Sequence, residues 1–384
     1  MKESSRRNLG IALAVAALAG NYSPWVRAAV QLPDALYLSS GQTHVVQTGL
    51  PMRAQASDGA VQVIASGDER LGDVALSAES TGEASVTFSL LGMIPVHETK
   101  VSVAEERTLI PGGQAVGVAL KTQGVLVVAN TSRTDAKSAL RVGDVILTVQ
   151  GEQVASAQGL AEQVSAAQAD VVELGVLRGG KEISVEASVP VDATDGRRRL
   201  GVWVRDSTAG VGTLSYIDPK TQAYGALGHA IVDADTGGML VAQDGAIMRA
   251  QVVGVTRGQS GKAGELKGSF LKENEQIGTL VRNSVYGIYG QMDVTPDGLL
   301  YPQGLPVGSR SAVHTGAASI IATVDGEGPK EYGVEIVRCF AQEEPSQKGM
   351  ILRVTDERLL EKTGGIVQGM WLSDNRDNSK KPLK

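Results

Sequence analysis

Between Val45 and Val337 the chain is a succession of short apolar segments, each closed by Gly, Asp or Pro. This punctuation constrains the fold more than any other feature. Apolar runs of strand length, cut by turn-formers, pair into sheets and are too short for ordinary helices. Glycine supplies 47 residues against three Phe, eight Tyr and three Trp, so packing falls to Val, Leu, Ile and Ala. The expected class is mainly β, and 384 residues are enough for two or three cores. A formal net charge of -6, with no basic stripe and no aromatic-basic interleaving, argues against a nucleic-acid partner. The single Cys339 rules out an intramolecular disulfide and a Cys-based metal cluster, and it reads as a small hydrophobe. No cofactor and no metal site is expected.

Lys2, Arg6 and Arg7 precede an apolar run from Leu9 to Gly20, short for a membrane span of about 20 residues. Val26-Arg27-Ala28 has small-x-small form. Residues 1–30 therefore read as a signal peptide or an uncleaved signal-anchor, and the remainder as exported, either secreted or anchored. Residues 31–103 form an expected N-terminal β domain, in which His44 and His97 are isolated and read as structural. Residues 191–199 are a polar linker.

Residues 104–190 are the most legible unit. Pro111-Gly112-Gly113 leads into Val116-Gly117-Val118, and Leu140-Arg141-Val142-Gly143-Asp144 precedes a strand. A helical pattern follows over Gln158–Ala167, and two strands flank the turn Gly179-Gly180. The order of elements and the Leu-x-x-Gly-Asp-x-Ile phrase resemble a PDZ domain. That resemblance implies a groove for extended or C-terminal protein segments. N–H groups of the Gly112-Gly113 turn would hold a carboxylate, and the edge at Val116, Gly117 and Val118 would accept the peptide as an added strand.

In the third region, 200–370, three features invite chemistry. His229 lies in Ala226-Leu227-Gly228-His229, beside a loop carrying Asp233 and Asp235. Asp356 ends Leu352-Arg353-Val354-Thr355-Asp356, where a cap or turn role competes with catalysis. Gly258–Gly264 lacks the spacing of a phosphate-binding loop, which excludes nucleotide binding.

Together these phrases, with Gly201–Asp206, Gly210–Leu214, Gly287–Gly290 and Ile366–Met370, resemble the serine peptidases of the stage IV sporulation protein B family. Leu91–Pro95 and Ile110–Gln114 extend the likeness toward the N-terminus. The resemblance implies a chymotrypsin-like double-β-barrel module with His229 as general base and Asp356 as its orienter. It also implies endopeptidase action in the forespore intermembrane space. There family members cut themselves and an envelope-facing regulator of an intramembrane metalloprotease, which allows sigma-factor processing.

The family serine would follow Gln-Gly-Met, where this chain has Trp371. Indole offers no nucleophilic oxygen, and its bulk fills the space an oxyanion hole needs. Ser373 comes two positions late and lacks flanking glycines. Residues 371–384 read as a non-family polar tail, which suggests a shifted reading frame or a premature end and an incomplete, inactive module. The rival reading is a non-catalytic protein that binds peptides through the PDZ-like groove.

Overall fold

A computed structural model describes residues 32–384 except 49–50, 66–72, 132–138, 260, 262–263, 272–274, 341–348, 368–369, 375–380 and 383–384. The expected signal segment lies outside the described residues, as do parts of the Gly258–Gly264 stretch and of the polar tail. No described helix is long and apolar enough to cross a membrane. The chain divides into two compact units, residues 1–108 with 306–314 and 381–384, and residues 109–305 with 315–380.

The first unit holds β1 (Ala35–Ser39), β2 (Thr43–Val46), β3 (Met52–Ala56), β4 (Val61–Ala65), β5 (Val74–Ala78), β6 (Gly82–Leu90) and β7 (Ile94–Ala104). They form two sheets, β1-β7-β6-β3 and β2-β5-β4. Alternation places Ala84, Val86 and Phe88 of β6 inward, where they join Leu38, Leu76 and Val101 in one core. His97 Nε2 and Thr99 Oγ1 both bond the Pro33 carbonyl, at 3.2 and 2.7 Å.

The second unit begins with β8 (Thr108–Pro111) and the 16-residue β9 (Ala115–Asn130), then β10 (Val145–Val149), β11 (Glu152–Gln153) and α1 (Ala157–Ala166). There follow β12 (Val171–Arg178), β13 (Lys181–Ser188), the 16-residue β14 (Val202–Ile217) and β15 (Ala223–Ala226). Next come β16 (Ala242–Thr256), β17 (Glu265–Phe270), β18 (Gln276–Ser284), β19 (Gly287–Met292) and β20 (Leu305–Pro306). Six of these strands close a barrel in the order β9-β16-β18-β19-β15-β14 and back to β9, with every pairing antiparallel. Closure leaves no free edge in that ring. Val116, Val118, Leu120, Leu214, Ile247 and Ile288 fill its interior.

The other half of β9 builds the PDZ-like sheet, β13-β12-β10-β9, covered by α1. Val125, Val127, Ile146, Leu160, Val164 and Leu174 make its core. Gly124, with φ +72° and the Ile146 carbonyl 2.4 Å from where a Cβ would stand, bends β9 between its two roles. Ser156 caps α1, its Oγ accepting from Gly159 N at 3.0 Å.

The Leu-x-x-Gly-Asp phrase has a physical basis. Asp144 is buried and accepts from Arg141 N at 2.8 Å and from Arg178 Nε and Nη2 at 2.7 and 2.6 Å. It staples the turn before β10 to the end of β12. Residues 104–190 do not form a core of their own throughout, because Val116, Val118 and Leu120 lie in the barrel core. Cutting at 190 would expose that face.

The second unit also holds β21 (Gly316–Ala322), β22 (Lys330–Cys339), β23 (Met350–Val354), α2 (Glu357–Thr363) and β24 (Trp371–Asp374). The strands pair in the order β23-β22-β21-β24. Trp371–Asp374 was expected to open a polar tail; it instead pairs with Ile321–Ala318, and Leu372 is buried. Its apolar residue and the free edge of β21 explain the difference.

Asp144→Ala should cost about 1–3 kcal/mol, because it removes the acceptor of the charged Arg178 hydrogen bonds and of the Arg141 N–H. Urea unfolding of the full chain checks this, and a loss below about 1 kcal/mol would contradict the staple.

Candidate functional site

The glycine turn expected to bind a carboxylate is already committed. Gly112 N and Gly113 N donate to the carbonyls of Ser215 and Leu214, at 2.9 and 2.7 Å. The Gly113 carbonyl accepts from Thr323 Oγ1 at 2.7 Å. Gly113 has φ +99°, and a Cβ there would stand 2.6 Å from Ile321 Cγ2, so glycine is required for packing.

The edge at Val116, Gly117 and Val118 is not free either. Gly117 is registered with Val211 of β14 on one side and Met248 of β16 on the other. Barrel closure consumes both edges, which corrects the expected position of an added peptide strand.

The edge that remains to the PDZ-like half of β9 is occupied by the first part of β14. Val202 pairs with Asn130, Val204 with Val127 and Arg205 with Leu126. Val202 and Val204 pack against the core beneath α1. Asp206 Oδ2 accepts from Ala157 N, the first N–H of α1, at 2.8 Å. A carboxylate there answers the positive end of the helix and one of its unpaired donors.

His229 stands on the barrel. β15 ends at Ala226, and Leu227 (φ 71°) and Gly228 (φ 69°) turn the chain through the left-handed region. That conformation costs a non-glycine residue about 1–3 kcal/mol. Burial of Leu227 and its N–H bond to the Thr213 carbonyl (2.9 Å) hold it there. The turn leaves His229 exposed. Its Nδ1 lies 2.9 Å from the Ala230 carbonyl. A carbonyl only accepts, so Nδ1 carries the proton and Nε2 is the basic nitrogen.

The loop after His229 is clamped. Asp233 is fully buried and accepts from Arg205 Nη1 at 2.5 Å, while Arg205 Nη2 reaches Asp235 at 2.8 Å. Burial pushes the Asp233 carboxyl up, but N–H groups of Thr236 and Asp235 and the Arg205 charge more than offset this, and the net shift is downward. Asn283 bonds the Ile231 N–H and carbonyl, fixing the other end of the loop.

Asp356 does not meet His229. It caps α2 and binds Arg358, with Oδ1 accepting from Arg358 N at 3.0 Å and Oδ2 from Nη2 at 2.7 Å. The Arg358 hydrogen bond is the main cause of a carboxyl pKa held below the usual value. Of the two roles open to Asp356 in the sequence, cap and partner of His229, the structure shows the cap. Trp371 belongs to β24, in the same sheet as β23, which leads into Asp356. Met370 packs on a cluster of Ala115, Val252, Leu266 and Val367. Arg205 and Asp206 were visible in sequence only as part of a phrase; their partners are remote.

Among the described residues no group of His, Cys, Asp and Glu is arranged to hold a metal. A pocket of about 130 Å³, lined by Ser39, Gln42, Glu106 and Ser309 among others, lies in the first unit and contains none of the candidate residues.

Comparison with known proteins assigns two regions. A family model described as SpoIVB peptidase S55 matches residues 196–378, a span that runs through Trp371. A PDZ domain model matches residues 101–189. The chain thus carries a SpoIVB-type peptidase S55 domain and a PDZ domain. No curated protein matches. Among solved structures, the PDZ domain of the SdrC-like protein from Listeria monocytogenes is 19% identical, over 21% of this chain and 87% of that one, with a TM-score of 0.20. The corresponding domain from Listeria innocua is 21% identical, over 21% and 93%, also with a TM-score of 0.20.

Asp356→Asn keeps a capping side chain but removes the charge. A depressed carboxyl pKa gives stability that is fully present above the unfolded value of about 3.9 and lost as pH falls through the lower folded value. The stability gap between wild type and Asp356→Asn should therefore be constant near neutrality and shrink below about pH 4. Urea unfolding at a series of pH values reads this, and a gap independent of pH would contradict it.

Proposed function

We propose that this chain is a SpoIVB-type serine endopeptidase scaffold without its nucleophile. The peptidase S55 match supports the family reading. The observation that carries the loss is Trp371, which stands directly after Gly369-Met370 where the family serine is expected. His229 retains what a general base needs, an exposed position and an Nδ1–H tautomer, so its Nε2 could take a proton from a hydroxyl. No hydroxyl stands at the next position to supply it. Asp356 would have to leave Arg358 to orient the imidazole.

The cellular setting follows the family. The chain would be exported by its N-terminal segment and act in the forespore intermembrane space, where the active relatives cleave themselves and a regulator of an intramembrane metalloprotease. A second reading has its own support. The PDZ domain is a module for extended protein segments, and its sheet edge beside α1 does hold one, the chain's own Val202–Asp206. A protein without peptidase activity could retain that binding role.

The full chain is expected to take no label from a fluorophosphonate serine probe and to cleave no casein-type substrate. His229→Ala should change neither result. Labelling of any serine, Ser373 included, that His229→Ala abolishes would overturn the proposal.

A further inference from the structure

The segment Val202–Asp206 does two things at once. Toward the PDZ domain it is a bound strand, antiparallel to Leu126–Asn130, with Val202 and Val204 on the core and the Asp206 carboxylate on the first N–H of α1. Toward the barrel, the adjacent Arg205 is ion-paired with Asp233 and Asp235, in the loop that starts at His229. Backbone pairing, apolar side chains at alternate positions and one anchored carboxylate are how a PDZ sheet edge receives a foreign peptide. Here all three are supplied from within the chain.

We propose that Val202–Asp206 is an internal ligand of the PDZ groove, and that its seating positions the His229 loop through Arg205. The proposal rests on the PDZ domain acting as a peptide-binding module. The internal occupant also defines the competing partner. It is an extended protein segment with apolar residues two apart and an Asp or Glu two positions further on, able to reach the N-terminus of α1.

The ladder is suited to exchange. Its register shifts once inside the segment, between Trp203 and Val204, and again between Arg205 and Ser207, where the segment passes into the barrel part of β14. Trp203 is 65% exposed and adds little to the grip. A competitor that takes the edge removes Arg205 from Asp233. The buried Asp233 carboxylate then loses its counter-charge, and the loop must open or rehydrate.

The test uses the full chain and a capped synthetic peptide of residues 201–207. Asp206→Ala removes the anchor and raises the fraction of vacant grooves, so the peptide should bind this variant about 5–30-fold more tightly than wild type. Saturating peptide should raise hydrogen exchange of residues 229–236 in the wild-type chain. In Arg205→Ala that exchange should already be high, and peptide should not raise it further. If Asp206→Ala does not fold, Asp206→Asn, which keeps the acceptor oxygen, takes its place with a smaller gain in affinity. Equal affinity for wild type and variant would overturn the internal-ligand assignment. Binding with no change in residues 229–236 would overturn the coupling alone. Binding to neither folded protein would remove the peptide-binding reading and the inference with it.

Discussion

The antiparallel ladder between β9 and β14 is the interaction on which the second unit depends. Each strand is 16 residues long, and each serves two structures. Ala115–Lys121 with Ser207–Thr213 closes the barrel, while Leu126–Asn130 with Val202–Arg205 extends the PDZ sheet. Without the first pairing the six-stranded ring would open along Val116 and Leu120. Without the second, Val202 and Val204 would leave the core under α1. Gly124 makes the arrangement possible, because a side chain there would collide with the Ile146 carbonyl while demanding a left-handed backbone.

The sharing explains why the turn and edge that the sequence suggests for a peptide are already paired. A carboxylate-binding turn needs N–H groups without partners, yet Gly112 and Gly113 donate theirs to Ser215 and Leu214 of β14. An added strand needs an edge, yet Val116–Val118 has barrel strands on both sides. What remains of the PDZ edge lies further along β9, and the chain itself fills it. The His229 loop is bound to that occupant by the Arg205–Asp233 pair, so groove and candidate base belong to one connected structure.

Local features were readable in the sequence and long-range ones were not. The helix expected over 158–167 forms at Ala157–Ala166, and the hairpin around Gly179-Gly180 forms as Val171–Arg178 and Lys181–Ser188. Periodicity and turn chemistry act within such windows. The β-rich class followed from the same signals. Nothing in a window shows that Val116 and Val127 lie on one strand serving two cores, or that Arg205 will find Asp233. Trp371–Asp374 looked like the start of a tail because its neighbours are polar, and its strand state depends on β21, some fifty residues earlier in the chain. His229 was legible as a residue, while its Ala230 hydrogen bond and the left-handed Leu227 that presents it were not.

Through β9 the PDZ sheet and the barrel form a single cooperative body. Native-state hydrogen exchange across a low-denaturant series tests it most directly, by comparing amides of Val116–Leu120 with those of Val125–Val127. Both groups should open with the same free energy and the same dependence on denaturant. If the PDZ-side amides stayed protected after the barrel-side amides had exchanged, the two would be separate domains with no shared cooperativity.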